Sequence, residues 1–266
     1  MTPTSISIDL WQLAIGLVFI LMAGLASLHH ALKLEKDLLV GTIRTFVQLF
    51  ALGYILIFIF KLENPVVVLA VFGFMIFFAA WEIRNRIKEK RVTFFWPLFI
   101  SMVISYVIVS YLVTAVVISV KPWWKPQYFI PLAGMVIGNS MNAIAIALER
   151  LLDDLRKRRH EVEAMLCLGA NYKEASNDML SAAMRAGMIP SINSMMTVGI
   201  VFIPGMMTGQ ILAGADPLQA VRYQIVVMVM LVGSTAIGSL LVVYLVRKRC
   251  FSKSESLLLQ PRNDGF

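Results

Sequence analysis

Residues 219–246 read QAVRYQIVVMVMLVGSTAIGSLLVVYLV, and RKR follows at 247–249. A helix of about 20 apolar residues spans the hydrocarbon layer of a bilayer, and a basic cluster at one end marks a cytoplasmic boundary. Six more apolar segments precede it, at roughly 9–29, 37–60, 65–83, 94–119, 129–149 and 191–213. The 266 residues are 59% hydrophobic and 15% charged, with a mean hydropathy of +0.77. A soluble domain of this size has too little polar surface to cover so much apolar material. The pattern predicts an all-α polytopic membrane protein of about seven transmembrane helices. No linker divides it, so residues 1–266 read as one membrane domain, with 251–266 (FSKSESLLLQPRNDGF) as a flexible tail.

The basic residues set the expected orientation. One side collects Lys33 and Lys36, then Arg84, Arg86, Lys88, Lys90 and Arg91. It also collects Arg150, Arg156, Lys157, Arg158, Arg159, Lys173 and Arg185, and finally Arg247, Lys248, Arg249, Lys253 and Arg262. The other side holds only Lys61, Lys121, Lys125 and Arg222. Basic residues favour the cytoplasmic face, which puts the N-terminus outside and the C-terminus in the cytoplasm. The net charge of +8 sits in clusters beside apolar runs, a membrane-loop pattern that argues against nucleic acid as a partner. MTPTSISIDLWQ (1–12) has no basic n-region, so the first run reads as a retained span. Cys167 and Cys250 both fall on the cytoplasmic side and read as reduced thiols.

Between the fifth and sixth apolar runs lies RHEVEAMLCLGANYKEA (159–175), too charged to span a bilayer. Val162, Met165, Leu166, Gly169 and Ala170 follow helical i, i+3, i+4, i+7, i+8 spacing, and Glu163 flanks the stripe. Gly169 is suited to close the helix. The pattern fits a helix lying on lipid headgroups and one docking into a partner equally well.

The polar residues inside the apolar runs are the other candidates. Arg44 and Gln48 are one turn apart in the second run, and an intramembrane charge is costly enough to suggest a pathway role or snorkelling to the interface. The fifth run holds Met135, Asn139, Met141 and Asn142, and the sixth holds Asn193, Met196, Pro204, Gly205, Met206, Met207 and Gln210. Pro204-Gly205 should break the sixth helix and free carbonyls for a cavity. Gly134-x-x-x-Gly138 and Gly205-x-x-x-Gly209 would allow close helix packing. Met141, Met196, Met206 and Met207 are candidate metal ligands, although methionine also serves as plain core packing.

No Gly-Lys dipeptide occurs, so the chain has no P-loop, and no intramembrane nucleophile–base pair suggests an enzyme. Few intramembrane carboxylates are available for ion coupling.

Six stretches together resemble the FetB-type ABC transporter permeases, a family of bacterial iron exporters with plant relatives linked to aluminium tolerance. They are LEKD (34–37), Arg44-x-x-x-Gln48-Leu49, IPLAGMVIGNSMNA (130–143), LGANYKEA (168–175), TVGIVFIPGMMTG (197–209) and AGADPLQAVRYQI (213–225). Glu163-Ala164-(x)4-Gly169 also has the spacing of the coupling loop of ABC permeases. The resemblance implies a bacterial inner-membrane permease, working as a homodimer with a separate ATPase subunit that carries ATP and Mg. The chain itself then needs no cofactor. Residues 160–175 become the coupling helix, and alternating access drives iron or another metal ion outward. Family members carry Asp-Ser-x-Lys-Thr-Val-Gly where this chain has Asn193-Ser194-Met195-Met196-Thr197-Val198-Gly199, so iron and a softer ion such as Cu(I) stay open as cargo. The alternative is a secondary transporter or channel driven by an ion gradient without an ATPase.

Overall fold

The computed structural model describes residues 9–87, 89, 92–252 and 254–259. Among them every regular element is a helix, and the only extended pairings are isolated bridges, Val198 with Phe202 and Phe251 with Leu257. Six helices are long and apolar enough to cross a membrane. They are α1 (Leu10–His29), α2 (Glu35–Leu62), α3 (Pro65–Arg86), α4 (Phe95–Tyr111, extended by a π-helical turn Leu112–Val117), α5 (Pro126–Lys157) and α10 (Pro217–Arg249). The expectation of an all-helical, multi-pass membrane protein is met.

The predicted sixth span, 191–213, is not one helix. Instead α8 (Asn177–Thr197) starts fourteen residues earlier, the chain breaks over 198–204, and a short α9 (Gly205–Leu212) follows. Hydropathy missed this because the first half of α8, with Asp178 and Arg185, is polar. The break also comes before the proline. Val198 is extended, Gly199 has φ +83°, and Gly199 N donates to Phe202 O at 2.9 Å. Pro204 stands just before α9 and starts it rather than breaking a helix. Pro190 is carried within α8.

The contacts fall into two compact units. In the first, α1 and α2 bury few of their side chains, so almost their whole surface is apolar and exposed. Leu212–Gly214 belongs with this unit. In the second, α5 and α10 are surrounded by α3, α4 and α8. Gly187 on α8 marks the tightest crossing. A Cβ there would stand 2.6 Å from Ala143 O and 2.9 Å from Ala147 Cβ on α5. The glycine pairs singled out by spacing do not make such crossings. Gly138, Gly205 and Gly209 have nothing within 4 Å, and Gly134 meets only the Met75 Cε end, at 3.3 Å.

The tail needs correction. Residues 251–252 and 254–259 fold back, with Leu257 and Leu259 buried and Arg159 Nη1 donating to Leu259 O at 2.8 Å. Two leucines that can reach an apolar seat outweigh the Ser-rich composition. The remainder of the expected tail, 260–266, lies outside the described residues, as do Lys88, Lys90, Arg91 and Lys253 of the charge count.

Cys250 is buried and donates to Val246 O at 3.3 Å, while Cys167 is exposed. Burial, with nearby Glu89 adding to it, pushes the Cys250 thiol up to about 12. A raised value leaves the reactive thiolate scarce at and below pH 9. Maleimide at pH 8 should therefore label Cys167 within minutes and leave Cys250 untouched in the folded protein, as read by mass spectrometry of tryptic peptides.

Candidate functional site

The second unit carries two candidate sites, one at each end of the helices that connect them. The first begins where α5 ends. α6 (Arg159–Cys167) starts straight after the Arg158 cap and is nine residues long. Salt bridges hold its first turn. Arg158 pairs with Glu161 at 2.6 Å, and Arg159 Nε donates to Glu163 Oε1 at 2.7 Å. The Arg158 hydrogen bond holds the Glu161 carboxyl below its usual range.

The helix ends in a Schellman turn. Gly169 N donates to Leu166 O at 3.1 Å and Ala170 N to Met165 O at 3.0 Å, with Gly169 at φ +94°. Only glycine adopts that conformation without strain. Asn171 then caps the single-turn α7 (Tyr172–Ala175). Its Oδ1 accepts from Lys173 N and Glu174 N, and Glu174 Oε2 accepts from Asn171 N at 2.9 Å. The short helix closed at Gly169 that the sequence predicts is present.

The stripe is divided between two jobs. Val162 is fully buried and anchors α6 to its own chain, so it is not part of an outward face. Met165 is 41% exposed and Leu168, which the stripe left out, is 88% exposed. Glu163, Leu166, Gly169 and Ala170 line a groove whose other wall is Ser254–Leu257. A nine-residue helix shows one stripe to sequence reasoning. Tertiary packing decides which end of that stripe is covered.

The second site is an open cavity of about 360 Å³ beside the α8–α9 break. Met135 and Asn139 line it from α5, and Ser191 and Ser194 from α8. Pro204, Gly205 and Met206 line it from the break and α9. α10 adds Gln224, Val227, Met228 and Leu231. Asn139 Nδ2 donates to Met135 O at 3.1 Å. Gln224 is 6% exposed, and its buried Oε1 has no hydrogen-bond partner among the described residues. A buried acceptor left unpaired is costly, and Gln224 is the residue with such an acceptor among those that line the cavity.

Five expected pathway residues meet here: Met135, Asn139, Pro204, Gly205 and Met206. Met141, Asn142, Asn193, Met196, Met207 and Gln210 do not line the cavity. Arg44 and Gln48 are exposed on α2 in the other unit. Sequence reasoning missed Gln224, Met228 and Ser191, and Ser194 was noted only as part of the polar sixth run. An amide standing alone in the apolar run 223–232 was the available signal for Gln224. Among the described residues no cluster of His, Cys, Asp and Glu could hold a metal ion, so the donors at this cavity are amide and hydroxyl oxygens and thioethers.

Residues 10–251 match the model of the family described as "Uncharacterised protein family (UPF0014)". This chain belongs to the UPF0014 family. The Synechocystis UPF0014 membrane protein slr1647 is 39% identical over 241 residues, covering 90% of this chain and 93% of that protein. The Escherichia coli protein named "Probable iron export permease protein FetB" is 34% identical over 249 residues, covering 93% and 94%. Protein ALUMINUM SENSITIVE 3 of Arabidopsis thaliana is 34% identical over 245 residues, covering 92% and 88%. No solved structure matches the UPF0014 chain. The family span takes in α6–α7, the cavity, all six apolar helices and Cys250, and ends before the Ser254–Leu257 wall of the groove. The relatives' description as membrane proteins agrees with those helices, and this is a multi-pass membrane protein.

Proposed function

We propose that this UPF0014 protein is the permease subunit of an ATP-driven exporter of a metal ion, with α6–α7 as the helix that engages a separate ATPase. The observation that carries the reading is the exposed tip of α6. Leu168 and Met165 stand in the open on a capped helix flanked by ion pairs, outside any membrane-crossing segment. A headgroup-bound helix would put its whole apolar stripe outward, whereas here Val162 is used for anchoring and a compact tip is left for a protein cleft. The name of the Escherichia coli relative supports export. In this reading ATP and Mg sit on the partner, in keeping with a chain that has no P-loop.

In this reading the basic ends of α3, α5 and α10 face the cytoplasm, the N-terminus lies outside and two copies form the transporting unit. Crossing from inside after α7 to outside before α10 then falls to α8 with the break and α9. The cavity between α5, α8, α9 and α10 is the cargo site, alternately open to each side. Its thioether and amide donors, without carboxylate or imidazole, suit a soft ion such as Cu(I) better than iron.

The test is co-purification with a candidate ABC ATPase subunit from the same organism. Leu168→Asp should cut recovery of the ATPase about 30-fold or more, as expected for a central interface anchor, while the protein inserts normally. Glu163→Lys, which puts a cation opposite Arg159, should act in the same direction. Wild-type recovery with both variants removes α6 from the interface.

A further inference from the structure

Arg247 ends the apolar stretch of α10 and is only 3% exposed. Its Nε and Nη1 have no hydrogen-bond partner among the described residues. What it does have is two rings. Its guanidinium carbon lies 5.9 Å from the centroid of Tyr172 and 5.2 Å from that of Tyr244. Tyr244 is one turn back on α10, whereas Tyr172 is the first residue of α7, directly after the α6 hinge. A buried arginine near a helix C-terminus is favoured by the dipole. That accounts for its charge but not for its sandwich with a residue from another element.

Tyr172 is held a second time. Its ring lies 5.5 Å from that of Phe251, and its N–H donates to Glu255 Oε2 at 3.1 Å. Arg159, at the other end of α6, is tied to Leu259 O. The chain leaving α10 therefore crosses back over both ends of α6–α7. At its other end α10 carries Gln224 and Met228 into the cavity. From Gln224 to Arg247, 23 positions on, α10 runs without a proline or a break, about 35 Å of continuous helix.

We propose that Arg247, clamped between Tyr172 and Tyr244, makes α10 the lever that carries movement of α6–α7 to Gln224 and the cavity. This rests on α6–α7 being the ATPase-driven element. α8 continues directly from α7, so α10 is a second, non-sequential route, and the contacts of Phe251, Glu255 and Leu259 are the strap that keeps it engaged.

Two readouts separate the tie from the transmission. In the purified full-length chain, hydrogen exchange of amides 169–175 should quicken about tenfold in Arg247→Met and in Tyr172→Ala, the scale of one desolvated cation–π contact. Tyr172→Phe, which keeps the ring, should exchange like wild type. Unchanged exchange in both Arg247→Met and Tyr172→Ala overturns the tie whether or not an ATPase is present.

The second readout uses the ATPase complex, with Cys167→Ser and a reporter at Met206→Cys. N-ethylmaleimide labelling of that cysteine should change about tenfold between the nucleotide-free and the ATP–vanadate-trapped states. With Arg247→Met the change should shrink below about twofold while ATP hydrolysis continues. A full change in Arg247→Met, or hydrolysis lost in proportion to it, overturns the lever. If the unmutated chain binds no ATPase, the proposed function and the transmission fall together, and the exchange result still decides the tie.

Discussion

Gly187→Val should prevent the second unit from folding to its native packing. The added Cβ would stand 2.6 Å from a backbone oxygen, Ala143 O, which sits in the middle of a 32-residue helix and cannot move aside. Even alanine there should cost about 1–3 kcal/mol, the range for overpacking a tight interior, and valine adds two methyl groups to the same clash. The expected result in detergent is a melting temperature lowered by many degrees for Gly187→Ala and little recoverable folded protein for Gly187→Val. Gly138→Ala is the matched control. It lies in α5 with open space around its Cβ position, and replacing a helical glycine there should leave stability unchanged or raise it by up to about 1 kcal/mol. Equal melting of the two alanine variants would mean that α5 and α8 do not cross at Gly187.

Gly169→Pro should abolish transport while leaving the spans intact. Proline fixes φ near −65° and has no N–H. Gly169 needs φ +94° and donates to Leu166 O, so the substitution removes both parts of the Schellman turn. The end of α6 unwinds, Leu168 loses its fixed position and the direction into α7 is lost. Gly169 is exposed with nothing within 4 Å, so the loss stays local. Thermal stability should match wild type within a degree or two, and ATP-dependent transport should fall more than tenfold. Gly169→Ala, which keeps the N–H at a strain cost of about 1 kcal/mol, should fall in between. Full transport by the proline variant would show that the hinge is not part of the drive.

Where the sequence was sufficient, the reason is length. Twenty or more apolar residues ended by Arg84-Asn85-Arg86 or Arg247-Lys248-Arg249 have one physical reading, and α3, α4, α5 and α10 stand close to where hydropathy places them. Gly169 was legible because a positive φ at a helix end strongly favours one residue type. The sixth span was not, because α8 takes its position from packing against α5 through Gly187, and no periodicity reports a partner helix's surface. The same holds for Val162 and Leu168. One is buried and the other exposed on the same short helix, and tertiary packing decides which is covered. The cavity was half legible. Its α5 and α9 residues share a polar, methionine-rich neighbourhood in the sequence, whereas Gln224 joins them from α10 only through the fold.

The measurement that bears most directly on the whole account is transport by the purified chain in proteoliposomes, with and without its ATPase, using Fe(II), Cu(I) and Mn(II) in turn. The account predicts that the chain with ATPase and ATP moves metal, Cu(I) at least as fast as Fe(II), and that the chain alone moves none under a proton or sodium gradient. Metal flux driven by an ion gradient through the chain alone, unchanged by ATPase and ATP, would contradict it.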